Sequence, residues 1–171
     1  ERTHTGLTAF ELVPRFGIDL QLRHGTLDRD PAASVSPWYA LIEISRLKGR
    51  ESGMLQAALE EAIGKGLLTD AVIAESLADR ERMWRMREQM SEVQSREGAS
   101  IKHDVSVPVA AVPQLIEEGI AAAERLVSGI RPCVFGHMGD GNLHFNLSQP
   151  VGADGKAFMA GEEPVHDAVY E

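Results

Sequence analysis

The chain has 171 residues, a formal net charge of -9, a hydrophobic fraction of 43% and a charged fraction of 25%. That length fits one domain with a real core, and the composition is ordinary for a globular protein. The acidic balance argues against a phosphate-backbone partner, so no nucleic-acid role is expected, although a few local cations can still serve one small carboxylate.

Cys133 is the only cysteine, which rules out an internal disulfide and suits a buried thiol in a reducing compartment. A cytoplasmic location is expected, with peripheral membrane association left open. No apolar run approaches the ~20 residues that span a bilayer, so no transmembrane segment is expected. The most apolar stretch, Val105 to Val127, is interrupted by Pro108, Pro113, Glu117, Glu118, Glu124 and Arg125. The opening ERTHTGLTAF lacks the basic-then-apolar order of a signal peptide. With no initiator Met, and an end at Glu171 in what reads as a new helix after Pro164, both ends read as cuts within a longer protein.

In chain order, residues 8–14 read as a short helical piece and 15–36 mostly as loop, given Gly17, Gly25, Pro31, Ser34, Ser36 and Pro37. Trp38 to Ile44 is rich in aromatic and branched residues and predicts a strand. Ser52 is a candidate cap for a helix from Gly53 to Ile63, whose Leu55, Ala58, Leu59, Ala62 and Ile63 follow helical spacing. Leu67 to Ala74 predicts a strand, and a long helix is expected from about Glu75 to Val93. Ser100 to Val107 predicts a strand. Pro113 suits the first turn of a helix in which Val112, Leu115, Ile116, Ile120, Ala123, Leu126 and Val127 make one apolar face, and Gly129 stops it. Pro132 to Gly136 and Leu143 to Leu147 predict two strands, and Gly152 to Gly161 a loop. This order suggests an α+β fold of ferredoxin-like type, an antiparallel sheet with helices on one face.

The most informative segment is Gly136-His137-Met138-Gly139-Asp140-Gly141-Asn142-Leu143-His144-Phe145-Asn146. Asp-Gly between apolar strands favours a tight two-residue hairpin turn. With Asp140 and Gly141 as the turn, Gly139 faces Asn142, Met138 faces Leu143, and His137 faces His144. Opposed Cβ atoms lie roughly 4.5–5.5 Å apart on one face. Two imidazoles so placed can bind one ion, since Zn–N bonds are about 2.0–2.1 Å, and Asn146 projects from the same face. Ordinary hairpin histidines paired with carboxylates or water are the competing reading. Two ligands are also too few for a catalytic site, so a third, Asp or Glu, must come from elsewhere.

On the long helix, Arg80, Trp84, Arg87 and Ser91 share one face. A guanidinium there can take a carboxylate through two parallel hydrogen bonds, although a solvated helix face explains the spacing too. In Lys102-His103-Asp104, strand alternation puts Lys102 and Asp104 on one face and His103 on the other. Lys102 then needs Asp104, another acid or a substrate carboxylate, unless it merely guards an edge strand. Neither GxGxxG nor GxxxxGK[ST] is present, and no Cys-His pair or GxSxG elbow suggests a nucleophile.

Lys102-His103-Asp104-Val105-Ser106-Val107-Pro108, followed by GHMGDGNLHFN and preceded by Trp84-Arg85-Met86-Arg87-Glu88, resembles the C-terminal domain of FAD-linked oxidases. That group includes D-lactate dehydrogenases, the flavin subunit of glycolate oxidase and D-2-hydroxyglutarate dehydrogenase. The resemblance runs from roughly residue 8 onward. It implies that residues 1–171 are one substrate- and metal-binding cap domain of an FAD-dependent D-2-hydroxy-acid dehydrogenase. The flavin domain of the same parent chain would be its partner and would hold most of the FAD. It implies His137 and His144 as ligands of a divalent metal such as zinc, Arg87 and Lys102 as partners of the substrate carboxylate, and Asn146 as a substrate contact. It places the third ligand and a histidine base in an acid-His-Gly triplet further along. Glu162, Glu163 and His166 do not match that triplet, so the fragment alone is expected to be inactive. A homo-oligomer is left open.

The residues also allow a stand-alone metal-binding module with hydrolytic or sensing duty, using His137, His144 and Asp140, or a non-catalytic cap that only shapes an interface.

Overall fold

The computed structural model describes residues 6–45 and 53–170. The chain runs β1 (Gly6–Pro14), α1 (Arg15–Arg23), β2 (Trp38–Ser45), α2 (Met54–Gly64), α3 (Leu77–Glu88), α4 (Met90–Ser95), β3 (Ser100–Ser106), α5 (Val112–Leu126), β4 (Arg131–His137), β5 (Asn142–Ser148), α6 (Gly155–Ala160) and α7 (Glu162–Tyr170). The strands form one sheet in the order β2-β1-β4-β5-β3, and every neighbouring pair is antiparallel. Since β5 lies antiparallel between β3 and β4, the β3–α5–β4 passage is a split βαβ unit. The antiparallel α+β architecture read from the sequence is present.

The helices occupy both faces of the sheet rather than one. On one face, Ile101, Val105, Val134, Leu143, Phe145 and Leu147 pack under α5 and α7, whose Ile116, Ala123, Val165 and Val169 complete the core. On the other, Cys133, Phe135 and Val13 meet Ile18 of α1, Met86 of α3 and Met90 of α4. Burial pushes the Cys133 thiol up to about 12, which keeps it inert. The second layer stands on segments whose sequence signal is weak. Residues 15–23 carry a glycine and few apolar repeats, yet form α1 because tertiary contacts hold them. Gln21 Nε2 donates to Met86 O at 2.6 Å. A Cβ at Gly17 would lie 2.2 Å from Met90 Sδ, so glycine permits the close approach of α1 and α4.

Several expectations are corrected. Residues 8–14 belong to strand β1, not a helix, because pairing with both β2 and β4 overrides local preference. Residues 67–74 form no strand. Asp70 instead accepts from the backbone N–H groups of Ala33 (2.8 Å) and Ser34 (3.1 Å), tying the segment to the preceding loop. The long helix is two, separated at Gln89. The stretch from Gly152 contains α6, capped by Asp154, whose side chain accepts from Ala157 N at 2.8 Å. The expected cap Ser52 lies outside the described residues. Among the described residues, no helix is long and apolar enough to cross a membrane.

His103 faces the α5/α7 layer and is buried at 1% exposure. Its Nδ1 donates to Phe145 O at 2.8 Å, while Nε2 has no partner among the described residues. The His166 and Tyr170 rings stand 4.6 Å and 5.4 Å away. Burial holds the His103 pKa below its ordinary 6.5, and His166 adds to the effect. The unfolded chain therefore takes up this proton more readily. The stability contribution is fully present above about pH 6.5 and is lost as pH falls from there toward the lower folded value. His103→Phe should flatten that part of the profile relative to wild type. Denaturation midpoints compared at pH 7 and 5.5 check this, and parallel pH profiles would refute it.

Candidate functional site

The face of the sheet not covered by α5 and α7 carries a polar cluster at the open end of its core layer. Ladder register defines it. His137 pairs with Asn142, Phe135 with His144, and Cys133 with Asn146. Across β3, Asp104 pairs with His144 and Lys102 with Asn146. Glu11 of β1 pairs with His137. Residues paired directly across a ladder share a face, so Glu11, His137, His144, Asp104, Lys102 and Asn146 project on the same side.

The hairpin differs from the expected one. The turn is four residues, 138–141, and His137 opposes Asn142 instead of His144. Asp140 N and Gly141 N both donate to His137 O, at 3.3 Å and 3.0 Å. The change slides the pairing by an even step, so both histidines remain on one face as diagonal neighbours, with ring centroids 6.5 Å apart. Asp140, the third ligand of the stand-alone reading, is instead a turn residue whose Oδ1 accepts from Asn142 N at 3.0 Å.

Each histidine is oriented by a carboxylate. His137 Nδ1 donates to Glu11 Oε1 at 2.7 Å, and His144 Nδ1 donates to Asp104 Oδ1 at 2.6 Å. A carboxylate offers only acceptors, so the proton sits on Nδ1 in both rings and Nε2 carries the lone pair. Carboxylate–histidine pairs of this kind fix the tautomer that a metal requires. Neither Nε2 is hydrogen-bonded among the described residues. The donor chemistry therefore fits two ligands of a divalent ion. A third is missing: among the described residues, no group of three or more His, Cys, Asp or Glu side chains is arranged to hold a metal.

Arg87 arrives from the last turn of α3. It is buried at 8% exposure, its Nε donates to Glu11 Oε2 at 2.7 Å, and its guanidinium lies 5.0 Å from the Phe135 ring centre. The Nη atoms have no hydrogen bond among the described residues and are not among the fully buried unpaired atoms. Farther back on α3, Arg80 and Trp84 are occupied by Glu43, at 2.7 Å each. Of that helix face, only Arg87 belongs to the cluster; Ser91 is exposed beyond the break. Lys102 is exposed and forms no ion pair among the described residues. Its strand neighbour Asp104 serves His144 rather than the lysine. Asn146 is buried, and its Nδ2 donates to Gln94 Oε1 at 2.8 Å, while Gln94 Nε2 donates to Ser148 Oγ at 2.9 Å.

Lys102, His137, His144 and Asn146, singled out in the sequence, therefore project from one face of the sheet, and Arg87 reaches that face from α3 through Glu11. Glu11 and Gln94 escaped sequence reasoning. The alternation Ala9-Glu11-Val13 against Thr8-Phe10-Leu12 was the available signal for Glu11, hidden by the helical reading of that segment.

The chain is similar to known proteins along most of its length. The family model for FAD linked oxidases, C-terminal domain, matches residues 2–171. Mitochondrial D-2-hydroxyglutarate dehydrogenase of Arabidopsis thaliana is 35% identical over 145 residues, covering 83% of this chain and 25% of that protein. D-2-hydroxyglutarate dehydrogenase of Xanthomonas citri pv. viticola is 31% identical over 159 residues, covering 93% of this chain and 33% of that protein. The mitochondrial enzyme of Rattus norvegicus is 33% identical, covering 83% of this chain and 26% of that protein. The chain thus spans a quarter to a third of the length of these curated relatives. With its motifs gathered on one sheet face and the match running along nearly the whole chain, this protein belongs to the FAD linked oxidase family and represents its C-terminal domain.

Proposed function

We propose that residues 1–171 form the substrate- and metal-binding cap domain of an FAD-dependent D-2-hydroxy-acid dehydrogenase, with the flavin held mainly by another domain of the parent chain. One observation carries this reading. Two histidines with carboxylate-fixed tautomers stand beside a buried guanidinium whose Nη edge has no hydrogen bond among the described residues. That combination suits a small anion bearing a neighbouring hydroxyl.

In this reading the Nη pair of Arg87 grips the substrate carboxylate in a forked, charge-assisted contact, and Lys102 adds a second cation. Asn146, oriented through Gln94, contacts the substrate beside them. His137 and His144 hold a divalent ion such as zinc through Nε2, with a third ligand from elsewhere in the parent. When bound, such an ion would supply Lewis acidity that lowers the hydroxyl pKa, and the flavin of the parent would supply the hydride acceptor for C2, with the hydroxyl proton going to a base further along the parent chain. The relatives' names point to D-2-hydroxyglutarate as the first substrate to try. No observation favours a self-sufficient metal module, since Asp140 is committed to the turn.

The full-length parent is expected to be yellow, to be bleached anaerobically by D-2-hydroxyglutarate or a related D-2-hydroxy acid, and to lose at least about a hundredfold in turnover on chelation, matching the several kcal/mol of a Lewis acid. A colourless or chelator-insensitive parent would overturn the reading.

A further inference from the structure

Glu11 lies directly opposite His137 in the β1–β4 ladder, and its side chain is 4% exposed. Its two oxygens go to different halves of the candidate site: Oε2 to Arg87 Nε and Oε1 to His137 Nδ1, both at 2.7 Å. We propose that Glu11 is a positioning residue that locks the substrate-carboxylate clamp and a metal ligand into one rigid unit. The proposal rests on the reading of the site given above.

The chemistry of the two contacts argues for it. By taking Nε, the carboxylate fixes the plane of the guanidinium and leaves the Nη pair for a second, planar anion. By accepting from Nδ1, it keeps the lone pair of His137 on Nε2, the form a metal needs. A purely structural account explains the first contact and, at the second, asks only that the buried Oε1 find a donor. Arg87 is buried and requires a counter-charge. His137 is half exposed, with a side chain 52% accessible, so water could satisfy its Nδ1. The buried Oε1 needs some donor, but the exposed ring does not need Glu11, so the pairing serves the orientation of His137 beyond what the carboxylate alone requires. The parallel contact on His144 is made by Asp104, whose side chain is 79% exposed and screened by solvent, so Glu11 is the firmer of the two supports.

Glu11→Gln in the full-length parent separates the possibilities. The amide keeps the shape but offers one acceptor and one donor. If its NH2 faces His137, the ring must carry its proton on Nε2 and cannot ligate. If the NH2 faces Arg87, two donors collide and the clamp turns away. Zinc affinity of the chelator-stripped parent, measured by competition titration, should fall about 10–100-fold. KM for D-2-hydroxyglutarate should rise, and Glu11→Asp, which keeps both acceptors on a shorter stem, should fall between Gln and wild type. A lower unfolding temperature with wild-type zinc affinity and KM in the folded protein would overturn the proposal. If Glu11→Gln does not fold, Glu11→Asp carries the test: weakened zinc binding supports the role and wild-type binding overturns it. His137→Ala is the reference. Weakened zinc binding there beside an unchanged Glu11→Gln removes the Glu11 role alone; wild-type zinc binding by His137→Ala removes the site reading and this proposal together.

Discussion

Arg87→Ala in the full-length parent should damage both stability and activity, through different halves of one guanidinium. The Nε half compensates Glu11, and the side chains of this pair are 10% and 4% exposed. Removing one partner of a buried pair leaves the other charge without compensation and typically costs about 3–5 kcal/mol. The Nη half is the candidate carboxylate clamp, and loss of a charge-assisted hydrogen bond there should cost a further ~1.5–3 kcal/mol of transition-state binding, tenfold or more in kcat/KM. Arg87→Lys should keep the charge but lose the fork, recovering stability better than activity. Arg80→Ala is the matched control on the same helix. Its 2.7 Å pair with Glu43 has an arginine side chain 50% exposed, so about 0–1 kcal/mol is expected. Denaturant unfolding and steady-state kinetics read the two effects separately. If Arg87→Ala and Arg80→Ala behave alike, the special status of Arg87 is wrong.

Gly141→Ala should be the most disruptive single-methyl change in the hairpin. Gly141 has φ +79°, and a Cβ there would lie 1.9 Å from the carbonyl oxygen of Val107. The left-handed backbone alone costs ~1–2 kcal/mol for a non-glycine residue. The collision adds to it, because a backbone oxygen cannot swing away as a flexible side chain can. The same glycine carbonyl accepts from Val107 N at 3.1 Å, so the turn and the end of β3 must move together. Gly152→Ala separates the two contributions: its φ is +76°, but nothing among the described residues lies within 4 Å of the added carbon. Gly141→Ala should therefore be clearly less stable than Gly152→Ala and should also weaken zinc binding in the parent, because His137 precedes the turn. Equal denaturation midpoints for the two variants would refute the steric account.

Much of this architecture was legible in the sequence where periodicity and burial agree. The amphipathic α5 and the strands β3, β4 and β5 follow from apolar runs bounded by Pro and Gly. Arg87, Lys102, His137, His144 and Asn146 emerged from motif and alternation; the last four share a face of the sheet, and Arg87 reaches it from α3 through Glu11. What failed was non-local. β1 reads as a helix until its two partner strands are known. α1 exists because Gly17 admits Met90 and Gln21 reaches the α3 carbonyl. The Asp-Gly dipeptide favoured a two-residue turn, but the loop closes with four residues, fastened by Asp140 to Asn142 N and by Gly139 N to Phe10 O at 3.0 Å. A register error of that parity is forgiving, since even steps preserve the face. Glu11 was invisible for a related reason: its role depends on a ladder between residues 126 positions apart.

The strands that carry the two histidines are interior members of the sheet: β4 runs between β1 and β5, and β5 between β4 and β3. β5 is paired along its length on both sides, β4 meets β1 at Gly136 and His137 beside the turn, and the cores on either face bear on both strands. Imidazoles mounted there inherit that stiffness. In the proposed role as ligands, the backbone that carries them would be set beforehand, so little backbone ordering entropy would remain to be lost on binding.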